Sequence, residues 1–351
     1  MGGACHYSQH SGAERPGAAV ALWLTTAILE SRHRAVATLL EVFIRMQLLD
    51  NPPRIQLDKI LLVAEYPPWA DVAVPYALGL AREHRARMHV AHPIATDKMP
   101  KLTQAPHGDA FRRSWRDLVF EAAARQVVTD REMLPTRLQE MAKQHDFDLI
   151  VVSIGRDENK GKRAISEALE HIFDGATCPV MVIGPSVASE LPPRTEPATI
   201  LHATDFSPHA LAATQHTFSW AQEYQSWVTL LHVIDGVGAW TEHERARLEE
   251  PFRQWMQELV PDELPIWCEV EHRVEFGNPA NRIVHAAEEL HADLIVIGLT
   301  GMDGAAQNSP GATALQVASE APCPVLLVRD YMKKMAAQPA TRRAWAAARA
   351  A

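Results

Sequence analysis

The feature that most constrains this chain is an internal duplication. Residues 199–221, TILHATDFSPHALAATQHTFSWA, repeat residues 59–81, KILLVAEYPPWADVAVPYALGLA. Asp205 takes the place of Glu65, Pro208 that of Pro68 and His232 that of His92. Further on, Asp293-LIVIG repeats Asp148-LIVVS, and Cys323-PVLLV repeats Cys178-PVMVI. Self-similarity over this length means that one module occurs twice, so both copies must satisfy the same fold.

Within each copy, short apolar runs alternate with helix-like periodicity, the grammar of a parallel α/β sheet. In the first copy, strands are expected at 60–64, 88–92, 148–155 and 178–185, and helices at 72–81, 110–128, 136–145 and 166–173. A turn is expected over 65–69 and a loop over 95–108. The strand runs are continuously apolar, as in sheets covered on both faces. Each copy reads as a βαβαβαβαβ unit. The organisation expected is an extension over 1–56, a first domain at 57–186, a linker at 187–197 rich in Ser, Pro and Glu, a second domain at 198–331 and a tail at 332–351. The runs at 179–184 and 324–329 would end each sheet as apolar edges, and bare edges seek a partner strand. Pairing of the two halves through these edges is expected, giving a pseudo-two-fold chain.

Composition narrows the function. With 47% apolar and 22% charged residues the chain is a globular one. A net charge of -9 argues against a nucleic-acid partner. The four cysteines, Cys5, Cys178, Cys268 and Cys323, form no C-x2-C pair, which suits a reducing compartment and buried, inert thiols. The apolar run 17–29 is shorter than the roughly 20 residues that cross a bilayer. It follows no basic segment of the kind that opens a signal peptide. No membrane role and a cytoplasmic location are therefore expected. Residues 18–49 read as an amphipathic helix that ends at Asn51-Pro52-Pro53, with translation from Met46 as a second reading of the same stretch. A homodimer formed through this helix is a secondary expectation.

In an open parallel sheet, ligands sit at the carboxyl ends of strands where the strand order reverses. In the second copy those ends carry Asp205 and the glycines Gly298, Gly301 and Gly311, spaced G-x2-G-x9-G. An aspartate there accepts from an amine or a ribose hydroxyl. The amides of a following helix, near Ala312 and Thr313, attract an anion. The plainer reading is equally open from the residues alone: the aspartate caps a helix and the glycines make turns.

The residues Ala203-Thr-Asp205-Phe-Ser207, Leu231-His-Val233, Ala292-Asp-Leu-Ile-Val-Ile-Gly298, the glycine spacing and Ala321-Pro-Cys-Pro-Val325 resemble the universal stress protein (UspA) superfamily in tandem form. The resemblance implies two Rossmann-like domains of the adenine nucleotide alpha hydrolase-like type, each a five-stranded parallel sheet with helices on both faces. It implies a non-catalytic stress-response module that binds ATP, or AMP or ADP; the residues themselves show no metal-site pattern, and none is expected. Carried over, Asp205 serves the adenine or ribose, Val233 contacts the base, and Gly298, Gly301 and Gly311 serve ribose and phosphates. Ala312 and Thr313 follow at the helix start, with Thr313 supplying a hydroxyl. Two positions depart from the family pattern. Ala312 stands where a Ser or Thr is usual, and the stretch 299–310 has Asp303 and no Lys or Arg. In the first copy, Glu65, Ser153, Arg156 and Ser166 replace the aspartate and the three glycines, so nucleotide is expected in the second domain only.

Competing readings are a nucleotide-free interaction scaffold and an ATP-consuming enzyme of the related pyrophosphatase type. The latter wants S-G-G-x-D-S after the first strand, where this chain has Ala203-Thr-Asp205-Phe-Ser-Pro. Gly155 to Arg163, GRDENKGKR, misses P-loop spacing, and Gly236-Val-Gly238-Ala-Trp-Thr241 breaks G-x-G-x-x-G at Thr241. The seventeen histidines include no H-E-x-x-H pattern.

Overall fold

The computed structural model describes residues 55–63, 70–93, 126–129, 146–154, 172–173, 176–187, 194–235, 241–261, 268–301 and 310–329. All lie in one compact unit, Asn51–Ala351. The expected 18–49 helix, the 65–69 turn, the 95–108 loop, the 136–145 helix and the tail fall outside the described residues, as do Glu65, Arg156 and Ser166.

Among the described residues ten strands form a single sheet. In chain order they are β1 (Lys59–Val63), β2 (Arg87–Pro93), β3 (Gln126–Thr129), β4 (Leu149–Ser153), β5 (Val180–Ile183), β6 (Thr199–Ala203), β7 (Trp227–Ile234), β8 (Val270–Phe276), β9 (Leu294–Gly298) and β10 (Val325–Val328). Their spatial order is β3-β2-β1-β4-β5-β10-β9-β6-β7-β8. Within each half every pairing is parallel. Between the halves β5 and β10 pair antiparallel, Val325 with Val182, Leu326 with Met181 and Leu327 with Val180. The two apolar edges thus cover each other, as expected from their composition. Met181 and Leu326 occupy the same place in each copy, so the pseudo-two-fold axis passes between them.

Five helices belong to the described residues: α1 (Ala70–His84), α2 (Pro208–Tyr224), α3 (Glu242–Glu258), α4 (Pro279–Glu289) and α5 (Ala312–Glu320). Three starts in the second half have a side-chain cap. Ser207 caps α2 by accepting from the Ala210 N–H, with Pro208 in the first turn. Thr241 and Glu244 form a capping box on α3, and Asn278 caps α4 through the Asn281 N–H. Strands alternate their side chains between the two faces. Leu201, Ala203, Leu231, Ile295 and Ile297 join the core shared with Ile283, Ala314 and Val317 of α4 and α5. That core runs on through Leu327, Val180 and Val182 to Phe173 in the first half.

The duplication extends to individual hydrogen bonds. Asp148 Oδ2 accepts from the N–H groups of Asp58 and Lys59, both at 2.9 Å. Asp293 Oδ2 accepts from those of Ala198 and Thr199 at 2.9 and 3.0 Å. Each aspartate ties the start of its module's first strand to the start of the fourth.

One expected element is corrected. The helix expected over 110–128 cannot include its last residues, because Gln126–Thr129 form β3 and pair with β2, Val90 opposite Gln126. Two adjacent valines and a threonine suit a strand, and pairing with β2 decides between the two readings. The strands are also not uniformly buried. β8, at the edge of the sheet, has Val274 as its one buried residue and carries Glu271, Arg273 and Glu275, charges that protect an edge from further pairing.

Candidate functional site

β6 lies between β9 and β7, so the strand order of the second half reverses at β6. The chain leaves β6 for α2, which packs on β9, and leaves β9 toward α5, which joins the opposite core. Such a reversal point is where open parallel sheets place a ligand crevice. Asp205 follows β6 there, and Gly298 to Gly301 end and follow β9.

The turn after β6 is built from its own side chains. Asp205 Oδ1 accepts from the Ser207 N–H at 3.0 Å, and Thr204 Oγ1 accepts from the Phe206 N–H at 3.1 Å. Ser207 then bridges the two strand ends, its hydroxyl donating to the Thr300 carbonyl at 3.4 Å while accepting from Ala210. His232, at the end of β7, is buried. Its Nδ1 lies 2.8 Å from the Thr204 carbonyl, which can only accept, so Nδ1 carries the proton. Burial pushes the His232 pKa down, against the opposing pull of that hydrogen bond and of the Asp205 charge.

The three glycines differ in what their missing side chains make room for. A Cβ on Gly298 would stand 2.7 Å from the Ala210 nitrogen and 2.8 Å from the His209 carbonyl carbon, inside the first turn of α2. Gly298 therefore lets α2 sit against β9, a packing role whether or not a ligand is present. A Cβ on Gly301 would stand 2.7 Å from Asp205 Oδ2. The Asp205 carboxylate thus lies directly against Gly301. At Gly311 a Cβ would meet nothing closer than 3.6 Å, and φ is -66°, so the fold itself places no demand for glycine there. Gly311 is the N-cap of α5 and makes no side-chain cap bond, while its own N–H donates to the Leu299 carbonyl at 2.9 Å. The first turn of α5, with exposed Ala312 and half-buried Thr313, follows directly. A helix start without a side-chain cap carries a partial positive charge and attracts anions.

Asp205, Gly298, Gly301 and Gly311 are therefore brought together around the ends of β6 and β9. Val233 lies one strand away on β7, half-buried and packed on the core beneath α4 and α5. Three neighbours were not singled out as site residues from sequence: Phe206, Ser207 and Thr300. The Thr300 side chain is buried, and its hydroxyl has no partner. A serine immediately before a helix signals a cap. Nothing in the residue types signals the other two. In the first half, Ser153 takes the place of Gly298 and is buried with its hydroxyl unpartnered.

Among the described residues no group of His, Cys, Asp or Glu could hold a metal ion. Among them, too, no helix is long and apolar enough to cross a membrane.

A parallel α/β sheet whose strand order reverses at the first strand defines the class of Rossmann-like domains, here in two copies. The chain matches the universal stress protein family over residues 56–184 and again over 198–329, and it belongs to that family. It is 32% identical over 142 residues to "Universal stress protein MJ0531" of Methanocaldococcus jannaschii, covering 38% of this chain and 84% of that one. It is 31% identical over 137 residues to a universal stress protein of Thermus aquaticus, covering 37% of this chain and 98% of that one. Among solved structures, a protein described as functionally unknown, PA1789 of Pseudomonas aeruginosa PAO1, shares the fold with a TM-score of 0.52 at 20% identity. That likeness covers 79% of this chain and 95% of the other, so it spans both halves.

Proposed function

We propose that the second half binds an adenine nucleotide in the crevice between Asp205, Gly301 and the start of α5. Asp205 would accept from the adenine amine or a ribose hydroxyl, and Val233 would contact the base. The amides at Ala312 and Thr313, with the Thr313 hydroxyl, would take phosphate oxygens. The observation that carries this reading is that the exposed Asp205 carboxylate lies against Gly301, where a side chain would collide with it, beside a helix start that has no side-chain cap. Gly311 supports it, since the fold does not require a glycine at that position. The protein would act in the cytoplasm as a non-catalytic regulatory module, occupancy shifting the conformation that a partner meets. The first half would be the structural one, since its sequence has Ser153, Arg156 and Ser166 in place of the three glycines.

A nucleotide-free scaffold is the second reading, favoured by the packing role of Gly298. Mass spectrometry of nucleotide released from the purified protein separates the two. Adenine nucleotide that is present in the unmodified protein and absent from Gly301→Val supports binding at this crevice. Equal amounts in both would remove the site assignment.

A further inference from the structure

Four non-glycine residues among those described have positive φ: Arg85, Phe206, Gln225 and His291. Three of them follow helices, Arg85 after α1, Gln225 after α2 and His291 after α4, where a left-handed residue commonly ends the last turn. Phe206 stands apart. It lies between a strand and a helix, it is aromatic, and its exposure is 1% at φ 59°. A bulky side chain in this region is an outlier that persists only where its surroundings hold it.

The surroundings are specific. The Phe206 ring stacks on Phe252 at 6.1 Å and meets Trp255 edge-on at 5.4 Å, both from α3. It also lies 5.2 Å from the His232 ring, which itself stacks on Phe252 at 4.2 Å. His232 holds the Thr204 carbonyl on one side of Phe206, and Ser207 holds the Thr300 carbonyl on the other. The φ of Phe206 sets where the Ser207 N–H points. With a negative φ that N–H would turn away from Asp205 Oδ1, and the carboxylate would lose this bond.

We infer that Phe206 is a positioning residue, clamped by Phe252, Trp255 and His232 in the left-handed conformation that aims Asp205 at Gly301, and that α3 thereby sets the affinity of the crevice. The effect on affinity rests on the nucleotide reading above; the effect on Asp205 does not.

Two substitutions separate backbone from ring. Phe206→Gly and Phe206→Ala both delete the ring, but only glycine takes positive φ without penalty. With ATP and AMP as probes in calorimetry, Phe206→Gly is expected to bind at least about five-fold tighter than Phe206→Ala, the population factor of the left-handed penalty. Crystal structures of the two variants are expected to keep the Asp205 to Ser207 bond in the glycine variant and to lose it in the alanine variant. If the ring acts only as packing, the variants bind alike, keep the same Asp205 geometry, and glycine is the less stable. That outcome overturns the inference. Should neither variant fold, Phe252→Leu loosens the clamp without touching Phe206, and unchanged Asp205 geometry in its crystal structure is then the contradicting result. Failure of the unmodified protein to bind either nucleotide would refute the nucleotide reading alone, because the crystallographic comparison still decides the clamp.

Discussion

His84 Nε2 and the Tyr224 hydroxyl lie 2.6 Å apart, and the two residues stand 140 positions apart, the spacing of the duplication itself. The same position in each copy meets its counterpart across the pseudo-two-fold axis. Phe173 and Ala318 are another equivalent pair, as are Arg329 and Gly184. The Arg329 guanidinium donates to the Phe173 carbonyl at 2.9 Å, whereas Gly184 allows the Ala318 carbonyl to come within 2.4 Å of where its Cβ would stand. Each copy thus fits the other, with side chains that have diverged at the seam.

Tyr224→Phe tests that seam. Burial, then the hydrogen bond to Glu83, pushes the Tyr224 hydroxyl pKa up, so the group stays neutral at ordinary pH. Losing it is expected to cost about 1 kcal/mol. In a unit of this size that is a fall of roughly 2–4 °C in Tm by calorimetry. A double-mutant cycle with His84→Ala should give a coupling of about 0.5 kcal/mol or more, and strict additivity would contradict the contact.

Asp148→Ala and Asp293→Ala should cost similar amounts, about 1–3 kcal/mol each by urea unfolding, since each removes an ionised acceptor from two backbone N–H groups. The Arg194 ion pair of Asp293, at 3.3 Å with Arg194 77% exposed, adds little to the difference. A large cost for one and none for the other would show that the two bonds are not equivalent.

Much of this architecture was legible in the residues, and the exceptions have physical causes. The repeat placed β1, β2, β4 and β5 because continuous apolar runs between helical patterns leave few alternatives. β3 was hidden because its four residues make sense only beside β2. The thiols of Cys178 and Cys323 were expected to be inert, and burial pushes both up to about 12. Asp205 and the glycines were legible as a group, but their separate roles were not. The packing role of Gly298 depends on where Ala210 and His209 come to lie, and a left-handed Phe206 is the last thing its residue type predicts.

His202 makes stability depend on pH. It is fully buried on β6, its Nδ1 at 3.1 Å from the Val296 carbonyl and its Nε2 at 3.0 Å from Thr214 Oγ1. Burial lowers its pKa to about 4, against the usual 6.5. The folded form therefore holds the proton less tightly than the unfolded one. Its contribution is fully present above about pH 6.5 and is lost as pH falls toward 4, amounting to about 3 kcal/mol over that window. His202→Leu should flatten the profile of unfolding free energy between pH 4 and 6.5. An unchanged slope would contradict the assignment.

The three glycines should respond differently to alanine. Gly298→Ala presses on the backbone of α2 and should cost about 1–3 kcal/mol in stability. Gly301→Ala meets the end of the Asp205 side chain, which can swing aside, so the fold should survive while nucleotide binding falls at least about ten-fold. Gly311→Ala should leave Tm within about 2 °C. Thermal melts and calorimetric titrations on the three variants check the order, and equal responses would contradict it.

The most direct test of the central claim is the number of nucleotide sites per chain. Equilibrium dialysis of the full-length protein against labelled ATP should give one site, and Gly301→Val should abolish it. Two equivalent sites, or a single site indifferent to Gly301→Val, would contradict a division of labour in which the second half binds and the first half supports.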